Sequence, residues 1–202
     1  MARYLAELEK AGMPRSGLAR ERALGENAAR WAVEFETERR AAGARVFTER
    51  RGEWTLPDGF VLEARADRME VKDGRLSVID FKTGAPPSKK QVKTGFAAQL
   101  PLTAAIAGAG GFGPDLGVEP EELLYIAVTG REPPARIEDR SGEDGAVQTV
   151  EEAVEGLIRR VAQYADPAQP YRSRIAPQFA QARISDYDHL ARVAEWSTQG
   201  ED

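Results

Sequence analysis

Between residues 17 and 42 the apolar positions Leu18, Leu24, Ala28, Trp31 and Phe35 recur three to seven residues apart in a stretch rich in Ala, Glu and Arg. That period predicts one long amphipathic helix, with Gly43 as its stop. The pattern then changes. Residues Arg45–Arg51 read as a strand, and Pro57-Asp58-Gly59 supplies a turn that reverses it into a hairpin. From Phe60 to Val71 the chain alternates, with Phe60, Leu62, Ala64 and Ala66 on one face and Val61, Glu63, Arg65 and Asp67 on the other. After a Lys72-Asp73-Gly74-Arg75 turn, Arg75–Lys82 has the β-branched and apolar content of a central strand, and Thr83-Gly84-Ala85-Pro86-Pro87 ends it sharply.

Ser88 can cap a helix, or two, reaching to about Ala109. Gly108, Gly110, Gly111, Gly113 and Pro114 make a loop, Leu123–Thr129 reads as a buried strand, Ala135–Glu138 as a short partner, and Val147–Tyr164 as an amphipathic helix. Residues 166–180 are Pro-rich and irregular, expected as a strap across the domain or a contact with a partner subunit, and Tyr187–Trp196 closes the chain as a short helix. The order helix, three strands, helix, strands, helix predicts an α/β fold with a mixed β-sheet. The meander strands are antiparallel, and a crossover helix brings in a parallel neighbour. Three parts follow: an N-terminal helical segment at 1–43, a core at 44–165, and a C-terminal arm with its short helix at 166–202.

The 202 residues suffice for one domain with a real core. No apolar run approaches the roughly 18 residues of a membrane span, and the N-terminus is charged from Arg3 onward, unlike a signal peptide. A cytoplasmic location without membrane attachment is therefore expected. The absence of cysteine excludes a disulfide framework and thiolate-held zinc or iron–sulfur clusters. A net charge of −5 argues against a basic coat for nucleic acid, but the charge is partitioned. Phe81–Pro114 carries Lys82, Lys89, Lys90 and Lys93 and no acid, whereas Asp115–Glu155 holds twelve acids against three arginines. The basic segment could meet phosphates, and the acidic stretch is expected to face solvent or another protein.

On a strand, residues two apart point the same way, so Asp80 and Lys82 emerge on one face while Phe81 turns to the opposite layer. If the two long strands pair through the Lys72–Arg75 turn, positions whose numbers sum to about 147 lie opposite one another, which sets Asp67 across from Asp80. Two carboxylates that close repel unless a cation lies between them. Oxygen donors of this kind suit Mg²⁺ or Mn²⁺, which accept waters and phosphate oxygens for their remaining positions. The Lys82 ammonium can orient or deprotonate an attacking water, or neutralise charge developing on a scissile phosphate. The alternative is a surface salt bridge between Asp80 and Lys82.

Arg65-Ala66-Asp67-Arg68-Met69-Glu70, Val78-Ile79-Asp80-Phe81-Lys82-Thr83-Gly84 and Gln99-Leu100 resemble the motifs of the PD-(D/E)XK nuclease superfamily, in its RecB-like branch. Phe96–Leu102 and the tail Asp186–Val193 with Glu195-Trp196 resemble, within that branch, the AddB family of helicase–nuclease subunits, alphaproteobacterial type. The resemblance runs from about Ala28 onward. It implies a restriction-endonuclease-like mixed sheet flanked by helices, and metal ligation by Asp67, Asp80 and the Phe81 backbone carbonyl. Lys82 would be the catalytic lysine. Gln99 would brace the site or touch the DNA backbone, or is otherwise an exposed helix-surface amide. The implied activity is Mg²⁺-dependent exonucleolytic cleavage of DNA single strands leaving a helicase, beside an AddA-like partner subunit, in double-strand break repair.

The chain departs from that pattern. The branch usually takes a further ligand, often His, from a helix well before the first Asp, and the one histidine here is His189, read as structural. Glu34 or Glu36 could substitute, though a helix this charged predicts solvated residues at both. The chain is accordingly expected to be a fragment that begins after that ligand helix, binding Mg²⁺ weakly and cleaving poorly alone. The family's Tyr four residues after Gln99 is Thr103, Ala64 stands where a Gly often precedes the Arg, and the cysteines of the iron–sulfur members are missing. Among other residues, Arg65 shares the face of the site and could contact phosphate, whereas Arg68 pairs with Glu70 or packs. Lys89, Lys90 and Lys93 either guide a DNA strand or form a solvated helix start. Trp31, Trp54 and Trp196 are expected as core or interface anchors. The rival to a nuclease is a non-catalytic module of the same fold, serving as scaffold or docking surface.

Overall fold

The computed structural model describes residues 2–170. The chain divides into two units, Met1–Arg159 and Arg160–Asp202. His189, Trp196 and the expected helix at Tyr187–Trp196 lie outside the described residues, as does most of the Pro-rich arm.

The first unit opens with helices α1 (Ala2–Lys10) and α2 (Arg15–Ala41), followed by strands β1 (Arg45–Thr55), β2 (Val61–Lys72) and β3 (Arg75–Lys82). Helices α3 (Lys89–Lys93) and α4 (Gln99–Gly108), strands β4 (Glu119–Val128) and β5 (Ala135–Asp139), and helix α5 (Gly145–Ala165) follow, the last ending in the second unit. In that second unit the Asp166 carboxylate accepts the Ala168 N–H at 2.8 Å, which turns the chain just past α5.

The five strands form one sheet in sequence order. β1, β2 and β3 are antiparallel neighbours, β3 and β4 are parallel, and β5 returns antiparallel to β4. The α/β expectation with its crossover through α4 holds. Asp73 and Gly74, with φ of 51° and 74°, form the two-residue turn whose twist matches that of the flanking strands. It locks Lys72 opposite Arg75 and Arg68 opposite Ile79, the register expected from the sequence.

β3 is buried on both faces from Leu76 to Asp80, which is why it reads as a near-continuous apolar run. On one face Leu76, Val78, Leu123 and Tyr125 pack against Leu100, Ala104 and Ala107 of α4. On the other, Ile79, Leu124 and Ile126 meet Phe35 of α2, against which Trp31 stacks at 5.1 Å between ring centroids. Trp31 is thus a core anchor, as expected. The chain beyond β4 is also fitted to α2, since the Asn27 amide donates to the Gly130 carbonyl at 3.2 Å.

Polar residues fill the rest of that second interface. Arg39 of α2 spans three strands, reaching Glu70 at 2.5 Å, Glu122 at 2.7 Å and the Ser77 hydroxyl at 3.2 Å. Arg68 joins Glu70 at 2.6 Å and Glu36 at 2.7 Å, and both guanidiniums lie about the Phe35 ring. The expectation of a solvated Glu36 is therefore corrected, because Arg40 and Arg68 hold it; and Glu122 is tied to a helix inside its own unit rather than turned to solvent. Arg68 pairs with Glu70 as the sequence suggested.

Other differences are of extent. α1 falls within the helical segment expected at 1–43, ahead of the one helix that the periodicity marked at 17–42; its nine residues are mostly charged or small, and it docks on α2 partly through Tyr4, whose hydroxyl donates to Glu21 at 3.2 Å. β1 runs on through Thr55 because residues 52–55 pair with 61–64, and β4 starts early at Glu119, paired with Arg75. Ser88 caps α3 in a reciprocal capping box with Gln91, as its position suggested. No helix among the described residues is long and apolar enough to cross a membrane.

Candidate active site

The site lies where β2 and β3 stop pairing. The ladder ends at Arg68 opposite Ile79, so Asp67 and Asp80 are the next residues of each strand, on the face that packs against α4. Asp80 is only 4% exposed. A carboxylate that buried needs partners, and it has two. The Gln99 amide donates to Oδ1 at 2.6 Å, and the Lys82 ammonium lies 2.7 Å from Oδ2. Lys82 also donates to the Gln99 side-chain carbonyl at 3.3 Å, which closes a three-residue ring. Gln99 occupies this place because it begins α4, whose following residues Leu100, Pro101 and Thr103 are buried against the sheet.

Asp67 is joined to the ring through the backbone: its Oδ2 accepts the Phe81 N–H at 3.1 Å. The Phe81 side chain is 41% exposed at the strand end. Beneath Lys82 lies Tyr125, the parallel neighbour of Asp80, with the ammonium 5.4 Å from its ring centroid. Burial, and then the negative charge of Asp80, push the Tyr125 hydroxyl up to about 12, so it stays protonated at physiological pH. Tyr125 escaped notice in the sequence because nothing there fixes the register of a parallel pair joined through a helix.

The remaining candidates are placed elsewhere. Arg65 pairs with Glu49 at 2.5 Å. Lys89, Lys90 and Lys93 line a separate cleft of about 210 Å³ together with Arg140, Glu143 and Asp144. Arg140 is a further residue the sequence did not reveal. It is buried, and its Nε donates to the Pro87 carbonyl at 2.7 Å, pinning the loop that leaves the site strand. Thr103, at the family's Tyr position, is buried inside α4's packed face, and Glu36 is held by Arg68, whose side chain leaves β2 on the face opposite Asp67. Trp54 is half-buried.

The donor set suits a divalent cation. Asp80 Oδ2 is a buried oxygen without a hydrogen bond, Lys82 lying close but off the bonding direction. Asp67 adds a second carboxylate at the same level. Among the described residues, no three His, Cys, Asp or Glu side chains already converge into a ready-made cluster. Two carboxylates with open positions match a hard cation that keeps several waters.

The chain is 24% identical over 173 residues to an uncharacterized protein of Rickettsia bellii, covering 77% of the chain and 20% of that relative. It is 29% identical over 107 residues to an uncharacterized protein of Rickettsia conorii, covering 49% of the chain and 13% of the relative. The chain thus spans about a fifth or less of the length of these relatives. The family model for the PD-(D/E)XK nuclease superfamily matches residues 1–177, and the chain belongs to that superfamily.

Proposed function

We propose that this chain is a Mg²⁺- or Mn²⁺-dependent DNA phosphodiesterase, an exonuclease acting on single strands that leave a helicase. Its larger setting would be an AddB-type subunit with an AddA-like partner, processing double-strand breaks for recombinational repair. The observation that carries the reading is the closed ring of Asp80, Lys82 and Gln99, on a strand whose neighbour brings Asp67 to the same level. The motif resemblance supports the rest.

Asp67, Asp80 and the Phe81 carbonyl would hold the cation, which when bound polarises a phosphate and lowers the pKa of a water. Asp80 is fixed in direction by Gln99 and Lys82. Lys82, fixed by the same two residues, presents its charge to the developing negative charge of the scissile phosphate or orients the attacking water. Arg65 and the lysines Lys89, Lys90 and Lys93 would engage phosphates on either side.

A second reading, a non-catalytic scaffold of the same fold, is favoured by the lack of a ready three-acid cluster among the described residues. One assay separates the two. Asp80→Ala or Lys82→Ala is introduced into the assembled complex and each DNA strand is labelled in turn. Cleavage of one strand is expected to be lost; unchanged cleavage of both strands would leave the scaffold reading standing.

A further inference from the structure

Phe81 sits between the two charged site residues of β3 and leaves the strand on the side away from both. Its backbone is held, the N–H by Asp67 at 3.1 Å and the strand by pairing with the fully buried Ile126, yet its ring is 41% exposed. Continuing the β2–β3 ladder from Arg68 opposite Ile79 brings Phe81 level with Ala66, next to Arg65. Across the β1–β2 ladder Arg65 stands directly opposite Arg51.

All three side chains share one face. Ala66 packs into the cluster covered by α4, so Arg65, beside it on β2, leaves by the other face. On β1, a Cβ at Gly52 would overlap the Phe112 ring, which packs with that cluster, so Arg51 faces away from α4 as Arg65 does. Phe47 packs with the cluster as well, and alternation is interrupted between it and Gly52 at Glu49, a left-handed residue with φ of 55°. The expected place of Arg65 on the site face is thereby corrected: it lies on the side away from Asp80.

Two arginines directly opposite each other on a ladder repel. Arg65 is tied to Glu49 in an ion pair whose members are 59% and 58% exposed, which water and salt weaken, and Arg51 has no ion pair among the described residues. Glu53 and Glu63, also opposite each other, form the next row toward the hairpin tip, and all four residues line one open cleft of about 560 Å³. An anion between the arginines relieves the first repulsion. The acidic row turns a polyanion aside, so that it crosses the strands from β3 to β1 instead of running along the hairpin.

We propose that Phe81 on β3, Arg65 on β2 and Arg51 on β1 form a track for single-stranded DNA on the face of the sheet opposite the carboxylates. One base stacks on Phe81, and neighbouring phosphates are held by Arg65 and Arg51. An aromatic platform beside cations is the combination that holds single strands without reading their sequence. Because Phe81 adjoins Asp80 and Lys82, the strand passes the site and turns over the end of β3 to reach the far face. The inference rests on the DNA-directed reading above, and binding by the wild type tests that reading by itself.

Fluorescein-labelled oligothymidylate is titrated with the 202-residue protein in EDTA and its anisotropy followed, alongside an oligomer of equal length whose sugars carry no bases. Phe81→Ala is expected to weaken oligothymidylate binding by about tenfold and to leave the abasic oligomer unaffected. Phe81→Leu keeps the apolar bulk without the aromatic face, and should show the same base-dependent loss if Phe81→Ala fails to fold. Arg51→Ala is expected to weaken both oligomers and to reduce the salt slope of binding by about 0.7, the share of one phosphate contact on a single strand. Equal losses on the two oligomers for the Phe81 variants, or an unchanged salt slope for Arg51→Ala, overturn the track. If the wild type binds and the variants bind as it does, the DNA-directed reading stands and the track alone falls. If the wild type binds neither oligomer, that reading fails and the track falls with it.

Discussion

Asp80 and Lys82, two residues apart on β3, bring a buried carboxylate oxygen and an ammonium to 2.7 Å from each other. Their side-chain exposures are 6% and 32%, so the pair is screened on one side only. Lys82→Met removes the counter-charge and leaves Asp80 buried with Gln99 as its remaining partner. An expected loss of about 2 kcal/mol lies below the roughly 3–5 kcal/mol of a fully buried pair. Combining it with Asp80→Asn should restore most of that loss. Denaturant unfolding of the single and double variants measures the coupling, and additive losses would mean the pair is not coupled.

Gln99 touches both charges with opposite ends of one amide, so its variants should separate bracing from bulk. Gln99→Glu puts a second carboxylate beside Asp80 and is expected to destabilise the protein at neutral pH by about 1–2 kcal/mol, with recovery on adding Mn²⁺. Gln99→Leu keeps the volume but leaves Asp80 Oδ1 unbonded, with a loss of about 1–3 kcal/mol that metal does not reverse. Thermal melting with and without Mn²⁺ distinguishes the two. Equal responses of both variants to Mn²⁺ would contradict the bracing role.

The ion-pair layer beneath α2 predicts an acid-sensitive fold. Burial pushes Glu36 and Glu122 up, but hydrogen bonds from Arg40 and Arg68 to the first, and from Arg39 and Ser77 to the second, outweigh it and leave both below their ordinary 4.5. A carboxylate with a depressed folded pKa adds stability above its unfolded value and loses it as pH falls through the folded value. Stability should therefore hold from neutral pH to about pH 5 and fall below about pH 4.5. Glu122→Gln should melt lower at pH 7 and show a shallower acid decline. A decline as steep as the wild type's would place the acid sensitivity elsewhere.

Gly130, with φ of 65°, follows β4 directly under α2, and a Cβ there would overlap the Leu24 carbonyl. Backbone cannot step aside as a flexible side chain can. Gly130→Ala is expected to cost at least about 2 kcal/mol through overpacking and an unfavourable φ, lowering the melting temperature. Gly74→Ala, whose Cβ meets open space, should cost less. The comparison isolates the helix contact from the φ penalty common to both.

Much of the framework was legible in the sequence because its signals are local. Alternation marked β2, the Asp73-Gly74 turn set the β2–β3 register, and the spacing of Asp80 and Lys82 on a strand put both side chains on one face. The same register led from the sequence to Asp67, and the motif resemblance to Gln99. What the chain alone left open depends on contacts between distant segments. Tyr125 beneath Lys82 follows from a parallel register set through a helix, and Arg140 holds Pro87 across 53 positions. Glu36 reads as solvated on a charged helix, yet its surroundings come from a strand more than thirty residues away. Local periodicity fixes which face a side chain leaves by, whereas its partner, burial and charge state are set by the element that packs on that face. For this protein the sequence determined the strand-borne acids and lysine as a set. Only the tertiary structure decided that Glu36 serves the helix interface and that Gln99 closes the ring.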